Sequence, residues 1–118
     1  MSSRPAPTTF LPLKPTDYQI LFVLLRSELH GYAMVKAIAE RTEGRMTLEP
    51  SNLYRRVRRL MKNGLVEESE ERPTPELDDE RRRYFVLTDL GRAVLAAEAR
   101  RMRALVDEAE AAELLAAG

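Results

Sequence analysis

Hydrophobic and polar positions alternate with a helical period most clearly in the middle of the chain, over residues 50–63. At about 100° per residue, one face collects the apolar side chains of Leu53, Val57, Leu60 and Met61. The opposite face collects the polar and basic side chains of Ser51, Arg55, Arg59 and Lys62. Pro50 suits the first turn of a helix, and Gly64 suits a left-handed C-terminal cap. The pattern therefore predicts an amphipathic helix of about three turns.

Two further helical patterns precede this segment. Residues 18–25 are apolar on nearly every side, and Thr16 with Gln19 gives a capping-box pattern before them, which predicts a buried helix. Residues 27–31 interrupt the apolar run, and a second amphipathic pattern continues to residue 44. The only histidine, His30, stands in this break. We interpret it as a turn residue that fixes the start of the second helix.

Two strand patterns follow the central helix, over residues 65–71 and 81–87. Prolines make the segment between them a loop, so the two strands are predicted to form a hairpin. Glutamates of the first strand then face three consecutive arginines of the second, Arg81, Arg82 and Arg83. Cross-strand ion pairs of this kind are worth only roughly a few tenths of a kcal/mol each.

The stretch from Thr88 or Asp89 to Ala116 is rich in Ala, Leu, Arg and Glu and contains no proline, which predicts one long helix. At roughly 28 residues and about 42 Å, it is longer than the small domain before it, so its far half needs another surface. A second subunit is the favoured partner; packing on its own domain and fraying are the alternatives. Apolar positions recurring with a heptad spacing form the candidate dimer interface: Leu95, Met102, Leu105, Val106, Ala109 and Ala112.

These elements predict a mostly α fold with a small β-hairpin, namely a winged helix-turn-helix over residues 16–88 followed by the long helix of residues 89–118. Residues 1–15 hold four prolines, which favours a flexible arm with at most weak docking through Phe10, Leu11 and Leu13. At 118 residues the chain is one domain plus tails.

Composition narrows the function classes. The chain has no cysteine, which excludes disulfides and thiolate metal sites, and one histidine, which leaves no visible pair for a metal or catalytic base. No cofactor and no enzymatic activity are therefore expected. No segment approaches the ~20 apolar residues of a membrane span, and no apolar signal core follows Met1, so a cytoplasmic location is expected.

Charge is strongly segregated although the formal net charge is zero. The central helix carries five cations and no acid, whereas residues 67–80 are mostly acidic. A phosphate backbone is the commonest partner of such a basic face; a solvated face is the alternative. The candidate DNA contacts are the helix residues Ser51, Asn52, Tyr54, Arg55, Arg56, Arg58, Arg59 and Lys62, with Arg81, Arg82 and Arg83 at the base of the hairpin.

Within that set, the roles differ. Arginine bonds guanine and asparagine bonds adenine bidentately, so the outward residues are the candidates for the groove. Tyr54 lies at the flank, where either a phosphate contact or core packing would suit it. Arg56 lies nearer the core and is assigned either to phosphate or to an intramolecular ion pair. The acidic residues 76–80 would repel phosphate, so either only the arginines touch DNA or the tip of the loop turns away.

The motifs of the chain also resemble those of the PadR family of bacterial transcriptional regulators. The resemblance spans about residues 16–95 and is carried by His30, Gly31, Tyr32, Pro50, Leu53, Tyr54, Leu60, Gly64, Leu65, Val66, Arg83, Tyr84, Phe85, Leu87, Thr88 and Gly91. The single terminal helix resembles the short form of that family. The resemblance implies a homodimeric DNA-binding repressor, with residues 50–63 as the recognition helix.

Departures from the family pattern leave the operator sequence open. Members commonly have a small residue and threonine where this chain has Ser51 and Asn52, and a proline where it has Arg55. Some members respond to aromatic or drug-like compounds, but no effector is assigned because this chain has no tryptophan and few aromatics. The alternative function is a winged protein-interaction module that does not bind DNA directly.

Overall fold

The computed structural model describes residues 4–69 and 83–116. Within these ranges the elements are a short 3₁₀ helix at Pro7–Phe10, four α-helices and three short strands. The helices are α1 (Pro15–Val23), α2 (Gly31–Arg41), α3 (Pro50–Lys62) and α4 (Asp89–Ala111). The strands are β1 (Leu29–His30), β2 (Val66–Glu68) and β3 (Tyr84–Leu87). This order confirms the predicted winged helix-turn-helix with a long terminal helix.

The core lies where α1, α2, α3, the first half of α4 and the sheet meet. Its buried members come from every one of these elements: Ile20, Leu21, Leu24, Met34, Ile38, Leu53, Val57, Leu60, Leu65, Val66, Phe85, Leu87, Leu90, Val94 and Leu95. Complete burial of one such side chain stabilises the fold by about 1.5–3 kcal/mol. The near-continuous apolar pattern of α1 follows from its position at the centre, with α2, α3 and α4 packed around it.

The sheet is antiparallel with strand order β1-β3-β2. Val66 pairs with Leu87 and Glu68 with Phe85, which confirms the predicted hairpin. The sequence did not predict β1, because two residues are too short for a period-2 signal; Leu29 pairs with Phe85 on the other edge of β3. Residues 70–82, which include Arg81, Arg82 and the acidic loop, lie outside the described residues.

Local sequence signals predicted some helix ends correctly and others incorrectly. His30 is the N-cap of α2, and its Nδ1 accepts a hydrogen bond from the Ala33 amide at 3.1 Å, which confirms its role as a turn residue. Gly64 has a φ of 80°, the left-handed conformation expected after α3. The capping box at Thr16 is wrong: Lys14 is the N-cap of α1 and Pro15 occupies its first turn.

The terminal helix is shorter than predicted. Thr88 caps its start by accepting a hydrogen bond from the Gly91 amide at 2.9 Å. It ends at Ala111, and Glu113 then adopts a φ of 62°. The helical sequence pattern continues past this end because the following residues are rich in alanine. No glycine or proline marks the end of the helix. At 23 residues the helix is about 34 Å long.

The N-terminal arm packs on the domain. Phe10, Leu11 and Leu13 are partly buried against the core, and the 3₁₀ helix lies against α4. The Leu13 amide donates a hydrogen bond to Oε2 of Glu98 at 2.7 Å. The prolines favoured a flexible arm, whereas this arm packs on the domain. The three apolar side chains and the hydrogen bond to the buried Glu98 carboxylate stabilise this packed conformation. No helix in the described part of the chain is long and apolar enough to cross a membrane.

Candidate nucleic-acid interface

The candidate interface is the outward face of α3. Leu53, Val57 and Leu60 are buried in the core, which fixes the rotation of the helix about its axis. A residue half a turn away from them must therefore face solvent. The exposed side chains are Ser51, Asn52, Arg55, Arg58, Arg59 and Lys62, as the helical period predicted. The structure thus brings these six predicted contacts together on one surface.

The positive charge of this face has no salt-bridge partner among the described residues. Within residues 4–69 and 83–116, salt bridges involve Arg56, Arg83 and Arg101, but none involves Arg55, Arg58, Arg59 or Lys62. Arg55 donates a hydrogen bond to the side-chain oxygen of Asn52, one turn earlier on the helix. That bond orients the guanidinium without removing its charge. The face therefore presents a cationic surface to an anionic partner.

Arg56 points the other way. Its Nε and Nη2 donate to the two carboxylate oxygens of Asp17, at 2.8 Å and 2.5 Å respectively. This hydrogen-bonded pairing raises the pKa of Arg56, although partial burial opposes the shift. Of the two roles the sequence left open for Arg56, the structure shows the intramolecular ion pair.

Tyr54 joins α3 to its neighbours. Its ring lies directly over Gly31, where an added Cβ would come within 2.8 Å of Cε1. The same ring stands 6.5 Å from the ring of Phe85, measured between centroids, with an interplanar angle of 63°. Tyr54 is half-buried, so its ring packs on the first turn of α2 and on β3.

The hairpin contributes Arg83 beside this face. Its Nε lies 3.8 Å from Oε1 of Glu68 on the neighbouring strand, which confirms a cross-strand ion pair of the predicted kind. The Arg83 side chain is exposed and that of Glu68 is partly exposed, so solvent screens the pair and its contribution to stability is small. An open cavity of about 380 Å³ lies between the hairpin and α3. It is lined by the rings of Tyr54 and Phe85 and by Arg58.

The sequence reasoning missed Tyr32. It lies in the first turn of the amphipathic α2 and is 70% exposed. It precedes the buried Met34 by two residues, which is about 200° around the helix, and this angle alone would have placed it in solvent. Tyr32 follows Gly31, so it lies next to the part of α2 that Tyr54 contacts. An exposed phenol here is a further candidate for a phosphate contact.

The residues predicted to form the dimer interface divide into two groups along α4. Leu95 is buried in the core of its own domain. Met102 and Ala109 are half-buried, whereas Leu105 and Val106 are 50% and 52% exposed. Ala112 is exposed just past the end of the helix. An apolar surface is therefore accessible only on the far half of α4.

Comparison with known proteins identifies a matching family and solved structures of similar fold. A family model described as "Transcriptional regulator PadR-like family" matches residues 20–97. No curated protein shows a significant match to the chain.

Solved structures of similar fold include Bacillus subtilis PadR in complex with operator DNA, with a TM-score of 0.60 and 23% identity over 73% of this chain and 47% of that one. The chain thus spans about half the length of that relative. A transcriptional regulator from Clostridium thermocellum gives a TM-score of 0.66 and 22% identity over 80% of this chain and 86% of that one. A PadR family regulator from Clostridium difficile R20291 gives 0.65 and 20%, over 82% and 96%.

Proposed function

The chain belongs to the PadR-like family of transcriptional regulators, and from this premise we propose that it is a homodimeric, sequence-specific repressor that binds operator DNA through α3. The observation that carries the proposal is the exposed face of α3, whose four cations have no salt-bridge partner in the described residues. An α-helix fits the major groove of B-DNA, where arginine and asparagine distinguish bases by bidentate hydrogen bonds.

The outward residues divide the work of binding. Asn52 and Arg55 stand near the N-terminal end of α3, the end that enters the groove in helix-turn-helix proteins, so we assign them to base edges. Arg58, Arg59 and Lys62 stand farther along and serve either base edges or phosphates. Arg83 reaches the neighbouring backbone from the hairpin, and Arg81 and Arg82 keep the same proposed role although they lie outside the described residues.

Dimerisation is supported by the far half of α4. Leu105 and Val106 are exposed although a helix surface normally turns such residues inward. Packing against the same helix of a second subunit would cover them. A two-fold dimer presents two copies of α3, which suits an operator with two half-sites related by the same symmetry. Residues 16–88 are then the DNA-binding domain and residues 89–118 the dimerisation segment, and the protein acts in the cytoplasm without catalytic activity.

The test is binding of the full-length protein to duplexes from the region upstream of its own gene. Arg55→Ala and Arg59→Ala should each weaken operator binding by about 1–3 kcal/mol while the circular dichroism spectrum and melting temperature stay unchanged. Arg26→Ala is the matched control, because Arg26 is an exposed arginine outside α3. Tight operator binding unaffected by both α3 substitutions would refute the proposed interface.

Salt dependence separates the proposal from a protein-interaction module. Binding through several phosphate contacts should weaken steeply as salt rises. Failure of the unmodified protein to retard any of these duplexes at low salt would instead favour the interaction module, which the zero net charge also suits.

A further inference from the structure

The N-terminal arm and α3 together line a shallow recess of about 150 Å³ at one edge of the basic face. Lys14 comes from the end of the arm and Asp17 from the first turn of α1. Arg56 and Arg59 come from α3, and Asn63 is the residue that follows it. Neither the sequence patterns nor the family resemblance gave the arm a role. Its last residue before α1 nevertheless lies beside a recognition-helix arginine.

The recess carries a positive charge. Three cations line it, Lys14, Arg56 and Arg59, against the single carboxylate of Asp17. Both oxygens of that carboxylate accept hydrogen bonds from Arg56, so the Asp17–Arg56 pair is internally neutral. Lys14 and Arg59 remain, and neither forms a salt bridge within the described chain. Two cations that have no salt-bridge partner in the described part of the chain, next to the side-chain amide of Asn63, favour an anion.

The position of Lys14 is fixed by the backbone on both sides. The preceding amide, that of Leu13, donates to the buried Glu98 carboxylate at 2.7 Å. The carbonyl of Lys14 itself accepts from the Tyr18 amide at 3.0 Å in the first turn of α1. Its side chain is exposed. The lysine is therefore held in place at its Cα while its ammonium remains free to reach a ligand, which lowers the entropic cost of binding.

We propose that Lys14 and Arg59 together bind a backbone phosphate of the duplex that α3 reads, so that the N-terminal arm extends the DNA contact beyond the recognition helix. This assignment rests on the proposed function of α3. Arg59 belongs both to the outward face of α3 and to the recess, so the two surfaces are continuous. A small ion is retained only in a deeply buried site. A shallow recess on such a face therefore suits a phosphate that belongs to a long polymer.

The experiment compares the unmodified full-length protein with Lys14→Ala on two fluorescently labelled duplexes, one from its own promoter region and one of unrelated sequence. One phosphate contact fewer should reduce the slope of log K against log salt by about 1 and raise the Kd about five- to tenfold at 0.1 M salt. The loss should be similar for both duplexes, because a phosphate contact carries no sequence information. Lys14→Arg should restore both the Kd and the slope.

The controls separate this inference from the function on which it rests. Arg26→Ala removes a cation beyond the other end of α1 and should leave the salt slope unchanged. If the unmodified protein binds its operator but Lys14→Ala has the same Kd and slope, the phosphate contact is refuted and the recognition role of α3 stands. If Lys14→Ala weakens binding to the promoter duplex but not to the unrelated duplex, Lys14 acts on a base and not on a phosphate, and the proposal is overturned. Absence of any duplex binding would overturn both.

Discussion

Arg56 and Asp17 form a bidentate ion pair that ties the middle of α3 to the first turn of α1, with donor–acceptor distances of 2.8 Å and 2.5 Å. Their side chains are only 21% and 12% exposed, so the pair is better shielded from solvent than a surface salt bridge. The pair holds one arginine of α3 away from the outward face. Both oxygens of the Asp17 carboxylate are occupied by Arg56, so this carboxylate is already paired.

Removing one partner of this pair should destabilise the domain. Asp17→Ala leaves a partly buried guanidinium without its acceptors, and we expect the free energy of unfolding to fall by about 1–3 kcal/mol. Urea unfolding followed by circular dichroism measures this. Asp107→Ala, which removes an exposed carboxylate on α4, is the control and should change stability by less than about 0.5 kcal/mol. Equal effects of the two substitutions would show that the pair contributes nothing.

The contact between Gly31 and Tyr54 should make position 31 intolerant of any side chain. In Gly31→Ala the new Cβ would overlap the tyrosine ring, and displacing a packed ring costs about 1–3 kcal/mol of stability. In a Tyr54→Ala background the same change should be close to neutral, because the ring that the new Cβ would overlap is absent. A double-mutant cycle on melting curves tests this, and additive effects would contradict it.

Glu98 should make stability depend on pH in the acid range. The hydrogen bond from Arg101 is the main cause that lowers the pKa of Glu98; the Leu13 amide lowers it further, while burial opposes both. Because the folded pKa lies below the ordinary value of 4.5, the resulting stabilisation is complete above that pH. It is lost as the pH falls from there through the folded pKa.

We expect Glu98→Gln to reduce stability by about 1–3 kcal/mol near neutral pH and to converge with the unmodified protein in acid. Unfolding free energies measured from neutral pH down to about pH 3 give the comparison. A difference between the two proteins that stays constant across this range would show that the charge of Glu98 is not the source of the stability.

The exposed apolar positions of α4 should govern oligomeric state. Replacing Leu105 and Val106 together by glutamate places charges at the proposed interface, so a dimer should become a folded monomer. Light scattering coupled to gel filtration measures the mass. Ala104→Glu adds one charge on nearly the opposite side of the same helical turn and should leave the dimer intact. An unmodified protein that is monomeric at micromolar concentration would refute the proposed dimer.

Strong local signals explain what the sequence predicted well. α3 begins at Pro50 and ends at Lys62, close to the predicted bounds, because its helical period, its first-turn proline and the glycine after it all agree. The outward face of α3 follows from the same period. Hairpin strands were recognisable for a similar reason, since prolines separate two β-rich runs.

Tertiary contacts decided what the sequence left open or missed. Asp17 lies 39 residues from Arg56, so no local pattern could pair them. β1 exists only because β3 lies beside it. The arm packs on the domain through a hydrogen bond from the Leu13 amide to the buried carboxylate of Glu98, which is 85 residues away in the sequence. Glu98 interrupts the heptad spacing of the apolar residues of α4, but no sequence pattern identifies its hydrogen-bond partners, the Leu13 amide and Arg101.

The separation of charge on this chain has a consequence for how it would meet DNA. With a formal net charge of zero, the molecule as a whole is not drawn toward a polyanion from a distance. Ionic screening limits electrostatic attraction to about 8 Å at physiological salt, so only an approach that leads with α3 is rewarded. Productive encounters with DNA would therefore be selected by orientation before any base is read.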